Sequence, residues 1–465
     1  MKAINPTTGE TLSEYPEHSS PEVTRRLEGA ARAFVEWRRT SFGDRAGPLR
    51  AVATILRQRQ AELARLMTLE MGKPIAQSES EVEKCAGACE YFAENAERDL
   101  TVESVASDAA RSFVRYDPLG PILAVMPWNF PMWQVIRAAA PALMAGNVLV
   151  LKHASNVPGC ADELERVFAD AGFPSGVFQQ VRIPGAAAEA LVDHPAIAAV
   201  TLTGSDAAGR ALGARAGRAL KKTVLELGGS DPFLVLADAD PMQAATQAAA
   251  ARIINNGQSC IAAKRFIVHE AIANAFIEGF TAGMRALRMG DPLDPTTQLG
   301  PLATARLAEE LEAQVTESVS RGARLICGGR RPTPGSAFFP PTVLTDIPRE
   351  SPAYRDELFG PVGCVFVARD LDDAIRIAND TRFGLGASAW TSDAIEQERF
   401  ARELDAGSVF VNGMVVSDPR FPFGGVKASG YGRELSDVGL REFTNVKTVR
   451  IRVQGGTDVA GSTTE

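Results

Sequence analysis

Between residues 147 and 229 the sequence alternates two textures, and that alternation limits the folds open to it. NVLVLK (147–152) is a β-branched apolar run. PGCADELERVFADAG has helical spacing and closes on Gly172. IAAVTLTG (197–204) is a strand entering a turn, SDAAGRALGARAGRAL is a helix of small residues, and KKTVLELGG (221–229) is a strand ending in glycines. Apolar strands separated by helical stretches read as βαβ units, so a parallel sheet covered by helices is expected. A second stretch of this kind starts near residue 230: FLVLADAD, a helix over 241–256, RFIVHE, a helix over 271–288, ARLICGG, PVGCVFVA, LDDAIRIANDTRFGLGASAW and AGSVFVNG. The fold class is therefore α/β, with two parallel-sheet lobes meeting near Gly228–Gly229.

Residues 21–100 read as helices instead, with Gly72 and then Pro74 stopping RAGPLRAVATILRQRQAELARLMTLEMG. FTNVKTVRIRV, near the end, is a strand pattern without a sequence neighbour. It has to pair with the SFVRYDP region or with another subunit, so a homo-oligomer is expected. A chain of 465 residues, 45% of them hydrophobic, has core enough for about two to four domains.

Charge and cysteine content narrow the function. Lys+Arg 49 against Asp+Glu 57 leaves −8, which argues against nucleic acid or an anionic membrane as the main partner. No C-x-x-C pair occurs among the six cysteines, and there are four scattered histidines, so no metal site is expected. So few cysteines suit a reducing compartment. MKAINPTTGE lacks a signal-like apolar region and no run is long enough to span a bilayer, so a cytoplasmic location is expected. Cys85 and Cys89 read as helix packing residues.

One thiol is placed differently. In NNGQSC (255–260), Cys260 follows a polar, Gly-containing turn and precedes an apolar run. It is thus at the mouth of a strand, where a ligand can reach it, and backbone amides of the turn can face its sulfur. A small buried hydrophobe is the competing reading of the same residue. Glu226, in TVLELGG, has apolar neighbours; burial raises a carboxyl pKa towards the range of a general base, and pairing with a nearby lysine is the alternative. In PWNFP (127–131), two prolines fix the backbone around Trp128, Asn129 and Phe130, which suits Asn129 as an oxyanion donor or the segment as a plain aromatic plug. TGSDAAG (203–209) opens a helix after a strand, a place for a pyrophosphate, and Lys152 ends the strand NVLVLK at the sheet's carboxyl edge.

Taken together and in this order, PWNFP, LK…S, TGS, LELGG, GQSC, ELFGP (357–361), FVNG (410–413) and PFGGVKASGYGRE (422–434) resemble the aldehyde dehydrogenase superfamily, from INPTTGE (4–10) to VKTVRIRV. The resemblance implies a Rossmann-like dinucleotide-binding domain (1–99 and 118–228), an α/β catalytic domain (229–427) and a small β oligomerisation flap (100–117 and 445–454), in a homodimer or dimer of dimers; the small, polar stretch over 455–465 reads as a flexible tail. It implies that Cys260 attacks an aldehyde, giving a thiohemiacetal whose oxyanion is held by the Asn129 amide and the Cys260 N–H. Hydride loss leaves a thioester, and Glu226 activates the water that hydrolyses it. The presence of Glu226 favours a free acid over a CoA ester as product.

By the same resemblance Lys152 and Glu357 hold the two riboses and Gly204 and Ser205 the pyrophosphate, with Trp128, Leu227 and Phe359 flanking the cofactor. Ser155 stands where NAD-preferring members often have Glu. A hydroxyl leaves room for a 2′-phosphate that a carboxylate repels, so the cofactor is NADP or NAD, with NADP favoured.

If Pro131 begins a helix, Trp133 and Arg137 share a face, and an arginine beside an aromatic suits a distal carboxylate; a salt bridge behind Trp133 is the alternative use of Arg137. The stretch resembles the shorter bacterial succinate-semialdehyde dehydrogenases, in which the matching arginine and a serine at the Ser417 position hold the substrate carboxylate. Ile254 stands where the longer type has a second arginine, and Ala262 where some members have a second cysteine that forms a redox switch. Glutarate semialdehyde or broad aliphatic and aromatic aldehydes are the alternative substrates. A cysteine hydrolase is the alternative from another class, but it needs a histidine, and His153, His194 and His269 carry no supporting motif.

Overall fold

The computed structural model describes residues 1–452; the tail expected over 455–465 lies outside them. A hairpin of β1 (Lys2–Ile4) and β2 (Thr11–Glu14) leads into four helices, α1 (Ser20–Trp37), α2 (Phe42–Gln58), α3 (Gln60–Met71) and α4 (Ile75–Asp99). Ser41 and Asp44 form a reciprocal capping box that opens α2. Gly72, at φ 79, closes α3 in the left-handed region.

Next come β3 (Glu103–Ser104) and β4 (Arg111–Pro118), then the first lobe: β5 (Pro121–Met126), α5 (Trp133–Met144), β6 (Val148–His153), α6 (Pro158–Asp170), β7 (Phe178–Gln180), α7 (Gly185–Leu191), β8 (Ala199–Thr203), α8 (Asp206–Arg218) and β9 (Lys222–Glu226). β5 to β9 are mutually parallel. Both faces of β5, β6 and β8 are buried, as near-continuous Val/Ile/Leu runs predict for a parallel sheet.

The second lobe holds β10 (Pro232–Val235), α9 (Pro241–Ile253), β11 (Arg265–His269), β12 (Arg324–Cys327), β13 (Thr342–Thr345), β14 (Val362–Ala368), β15 (Gly386–Trp390) and β16 (Ser408–Val411). Its order is β12-β13-β14-β11-β10-β15-β16, parallel except for the antiparallel edge strand β12.

Two local expectations change. The helix expected over 241–256 stops at Ile253, because the next residues turn left-handed. The helix expected over 271–288 is Ala273–Arg285. The chain also returns to the first lobe after residue 427: β17 (Gly430–Tyr431) pairs with β9. The lone C-terminal strand, β18 (Thr444–Ile451), pairs antiparallel with β4 along its whole length, in a three-stranded sheet of order β18-β4-β3. Its partner is thus inside the chain. Cys85 and Cys89 are fully buried on α4. Among the described residues no helix is long and apolar enough to cross a membrane.

Candidate active site

The parallel strands of the first lobe lie in the order β9-β8-β5-β6-β7. The chain moves outward from β5 to β7, then returns to β8 on the other side of β5. Such a reversal opens a crevice at the carboxyl ends of the strands, where open α/β sheets bind ligands. Trp128 follows β5, Lys152 and Ser155 lie at the end of β6, Gly204 and Ser205 follow β8, and Leu227 follows β9. Ser205 caps α8, accepting from the Ala208 N–H at 3.3 Å. A Cβ on Gly209 would meet the Leu227 side chain at 2.6 Å, so the glycine lets α8 pack onto that leucine. Lys152 is buried, burial lowers its pKa, and no carboxylate among the described residues pairs with it. An unpaired buried ammonium is costly, so this place suits an anionic group such as a phosphate. From the second lobe, Phe359 meets Trp128 edge-on with ring centroids 5.8 Å apart. Glu357 accepts from the Gly229 N–H at 3.1 Å and lies 3.3 Å from Lys264 Nζ.

Cys260 reaches the same cleft by an unusual turn. Asn255, Asn256 and Gly257 have φ of 54, 57 and 77°, a region that Asn and Gly enter most readily. Gly257 is also sterically required, since a Cβ there would lie 2.3 Å from the Gly360 carbonyl carbon. The turn is pinned by its own amides. Asn255 Nδ2 donates to Asn129 O at 2.5 Å and to Gln258 O at 3.1 Å, and Asn256 Nδ2 donates to Gly72 O and Pro301 O, both at 2.9 Å. Asn129 Nδ2 also donates to Gln258 O, at 3.1 Å, so the amide expected at the oxyanion and the turn carrying the thiol are bonded together. Lys264 Nζ gathers the carbonyls of Ser259, Cys260 and Ala262 at 2.8, 2.9 and 3.1 Å. Gly229 permits this approach, for its Cβ would lie 2.6 Å from Cys260 O. The Cys260 N–H has no hydrogen-bond partner among the described residues. Desolvation pushes the thiol up to about 12, against the pull of the Arg137 and Lys264 charges.

Glu226 ends β9 and is 1% exposed. Neither carboxyl oxygen has a hydrogen-bond partner among the described residues. Burial holds its pKa well above the usual carboxylate range; the Arg137 cation opposes this and the Glu434 carboxyl adds to it.

A cavity of about 390 Å³ joins Cys260 to Trp133, Arg137 and Ser417. Trp133 and Arg137 lie one turn apart on α5, as expected. Arg137, however, is internally engaged: Nε pairs with buried Glu434, Nη2 donates to Thr203 Oγ1 at 3.3 Å, and the guanidinium lies 4.6 Å from the Phe423 ring centroid. The salt-bridge reading of Arg137 thus describes Nε, and a hydrogen bond occupies Nη2, leaving Nη1 for a ligand rather than the full planar fork. No histidine lines the cavity; His153 instead bonds the Pro131 carbonyl at 2.9 Å, and burial lowers its pKa to about 4.

Sequence reasoning missed Lys84 on α4, which lines the cavity. Its Nζ donates to Ser417 Oγ at 2.6 Å and lies 4.2 Å from the Trp133 ring centroid. It also missed Glu81, whose carboxylate accepts from the N–H groups of Met132 and Trp133, both at 2.9 Å, and so holds the start of α5. Nothing in the local pattern of α4 distinguishes these residues from ordinary helix-face charges.

The sequence profile of the "Aldehyde dehydrogenase family" matches residues 1–449. The chain is 52% identical to a probable succinate-semialdehyde dehydrogenase [NADP(+)] of Synechocystis sp., over 97% of this chain and 99% of that protein. It is also 52% identical to succinate-semialdehyde dehydrogenase [NADP(+)] 1 of Mycobacterium tuberculosis, with the same coverage. Among solved structures, the succinic semialdehyde dehydrogenase of Streptococcus pyogenes in complex with NADP+ superposes with a TM-score of 0.94 at 35% identity, covering 97% of this chain and 100% of that one.

Proposed function

Since this chain belongs to the aldehyde dehydrogenase family, we propose that it oxidises succinic semialdehyde to succinate, with NADP as the oxidant. The carrying observation is the cavity that has the Cys260 thiol on its wall together with Arg137, Ser417 and the Trp133 indole. A small aldehyde with a distal carboxylate matches both features. The naming of the curated relatives and the NADP+ of the S. pyogenes structure support the same reading.

Cys260 adds to the aldehyde carbon, and its proton passes to Glu226 or to water. The tetrahedral oxygen takes hydrogen bonds from the unpartnered Cys260 N–H and from Asn129 Nδ2, which exchanges Gln258 O for it. Losing one such donor typically costs about 2.7–4 kcal/mol of barrier. NADP, when bound, supplies the acceptor for the hydride. Lys152 and Ser155 would hold its adenosine end, Gly204 and Ser205 the pyrophosphate, and Glu357 the nicotinamide-side ribose, with Trp128, Leu227 and Phe359 packing around it. Among the described residues no carboxylate pairs with Lys152, which favours a phosphorylated ribose. The Glu226 carboxylate then takes a proton from the water that attacks the thioester carbon and passes it to the departing Cys260 sulfur, which leaves as the thiol.

Initial rates at 340 nm with succinic semialdehyde, glutarate semialdehyde and hexanal, each with NADP and NAD, test the reading. The highest kcat/KM is expected for succinic semialdehyde with NADP. Hexanal matching it would overturn the substrate, and turnover without absorbance change would overturn the chemistry.

A further inference from the structure

The Arg137 guanidinium is mostly consumed inside the protein, so the cavity needs another source of positive charge if it is to hold a carboxylate. Lys84 is that source by position. It projects from α4 into the cavity that Cys260 lines, and no carboxylate among the described residues forms an ion pair with it. Its environment is a hydroxyl and an indole face: Ser417 Oγ at 2.6 Å and the Trp133 ring at 4.2 Å.

The hydrogen-bond accounting at Ser417 points the same way. Its Oγ accepts from Lys84 Nζ at 2.6 Å and from Trp133 Nε1 at 3.1 Å. A hydroxyl has two acceptor lone pairs and one O–H donor. Both lone pairs are therefore used, and the O–H has no acceptor among the described residues. The Lys84 ammonium has three donors and spends one on Ser417. Lys84 and Ser417 together thus present donors with no protein acceptor among the described residues, on a cation that none of their carboxylates pairs with directly. A group with several acceptor oxygens and a negative charge satisfies both, as a carboxylate does.

We propose that Lys84 is a substrate-binding, specificity-determining residue whose ammonium, with the Ser417 hydroxyl, receives the distal carboxylate of the aldehyde substrate, Arg137 Nη1 contributing from the other side. The inference rests on the semialdehyde reading above and adds to it the residue that supplies the main charge. Burial lowers the Lys84 pKa to about 8, with the Arg137 charge adding to the effect and Cys85, Glu81 and Asp418 opposing it. The ammonium is thus charged below about pH 8 and is lost as pH rises through that value. Arg137 is a poorer probe of carboxylate recognition, because removing it leaves buried Glu434, whose charge acts on Glu226, uncompensated.

Lys84→Gln and Lys84→Arg are compared with the wild type on succinic semialdehyde and hexanal, with NADP, from pH 6.5 to 9. In the wild type, kcat/KM for succinic semialdehyde relative to hexanal is expected to fall above about pH 8. Lys84→Gln is expected to raise KM for succinic semialdehyde by about 30-fold or more, to leave hexanal within about threefold, and to flatten that pH dependence; Lys84→Arg is expected to restore part of the preference. Hexanal turnover serves as the control for folding. If the wild type prefers succinic semialdehyde and Lys84→Gln keeps that preference, or loses both substrates equally, the inference is overturned and the functional reading stands. If the wild type itself shows no preference, the functional reading fails first and the inference falls with it.

Discussion

The pKa values of Cys260 and Glu226 are raised by the same cause, the removal of water from around them. The thiol is pushed to about 12 and the carboxyl well above its ordinary 4.5. The thiol is not a ready nucleophile at rest, so raising the pH brings it towards the thiolate and kcat/KM for hexanal should climb between pH 6 and 9. Glu226→Gln separates the two roles. The thioester should still form, giving a burst of one NADPH per subunit, while the steady-state rate falls about 10²–10⁴-fold, the usual contribution of a general base. A proportional loss of burst and steady state would place Glu226 in the first step alone. The same variant has a stability signature. An acid whose folded pKa is raised stabilises the fold below the unfolded value near 4.5 and loses that contribution as pH rises through the folded value. Glu226→Gln should therefore melt close to the wild type at pH 5 and progressively above it towards pH 9.

The turn that carries Cys260 puts a second demand on the sequence, at the scale of an element. Gly257→Ala would place a methyl at φ +77 and 2.3 Å from Gly360 C. The left-handed conformation alone costs roughly 1–2 kcal/mol, and relief of the clash moves the turn and the thiol with it. Activity should drop by about 10²-fold, since an ångström of misplacement carries about that effect, together with a lower Tm. Gly217→Ala is the control: Gly217 lies inside α8 with nothing within 4 Å of the added Cβ, so it should raise Tm slightly and leave rates alone. Strands such as β6 and β8 could be read from the sequence because their burial on both faces demands continuous β-branched runs. The early end of α9 could not, because the amides of Asn255 and Asn256 turn inward to bond Asn129, Gly72 and Pro301, partners that no local window contains. Lys84 escaped for the same reason. Its meaning comes from Trp133 on α5 and Ser417 beyond β16, whereas within α4 it reads as one more charged residue on a helix face. Cys260, Glu226 and Asn129 were legible because each sits in a short motif whose glycines or prolines mark a backbone constraint.

At the scale of the whole molecule, the β18-β4-β3 sheet departs furthest from what a solitary chain favours. Among the described residues β18 pairs with β4 on one side and with no strand on the other, and a long free edge templates pairing with another chain. Proteins guard such edges with charge, but here Lys447 and Arg450 are spent on Asp117 and Asp108 of the same flap. Val446 is 61% and Ile451 47% exposed beside them. An identical chain is the partner always present at matching concentration, and closed homo-oligomers are the commonest assemblies, so we propose that a second copy covers this edge. Light scattering on the wild type should give a multiple of the 49.5 kDa chain mass. Val446→Lys with Ile451→Lys, which adds charge at the edge without touching the cavity around Cys260, should shift the mass towards one chain while circular dichroism stays native. A wild-type mass of one chain would remove the edge as an interface. An unchanged oligomer in the double variant would put the interface elsewhere on the surface.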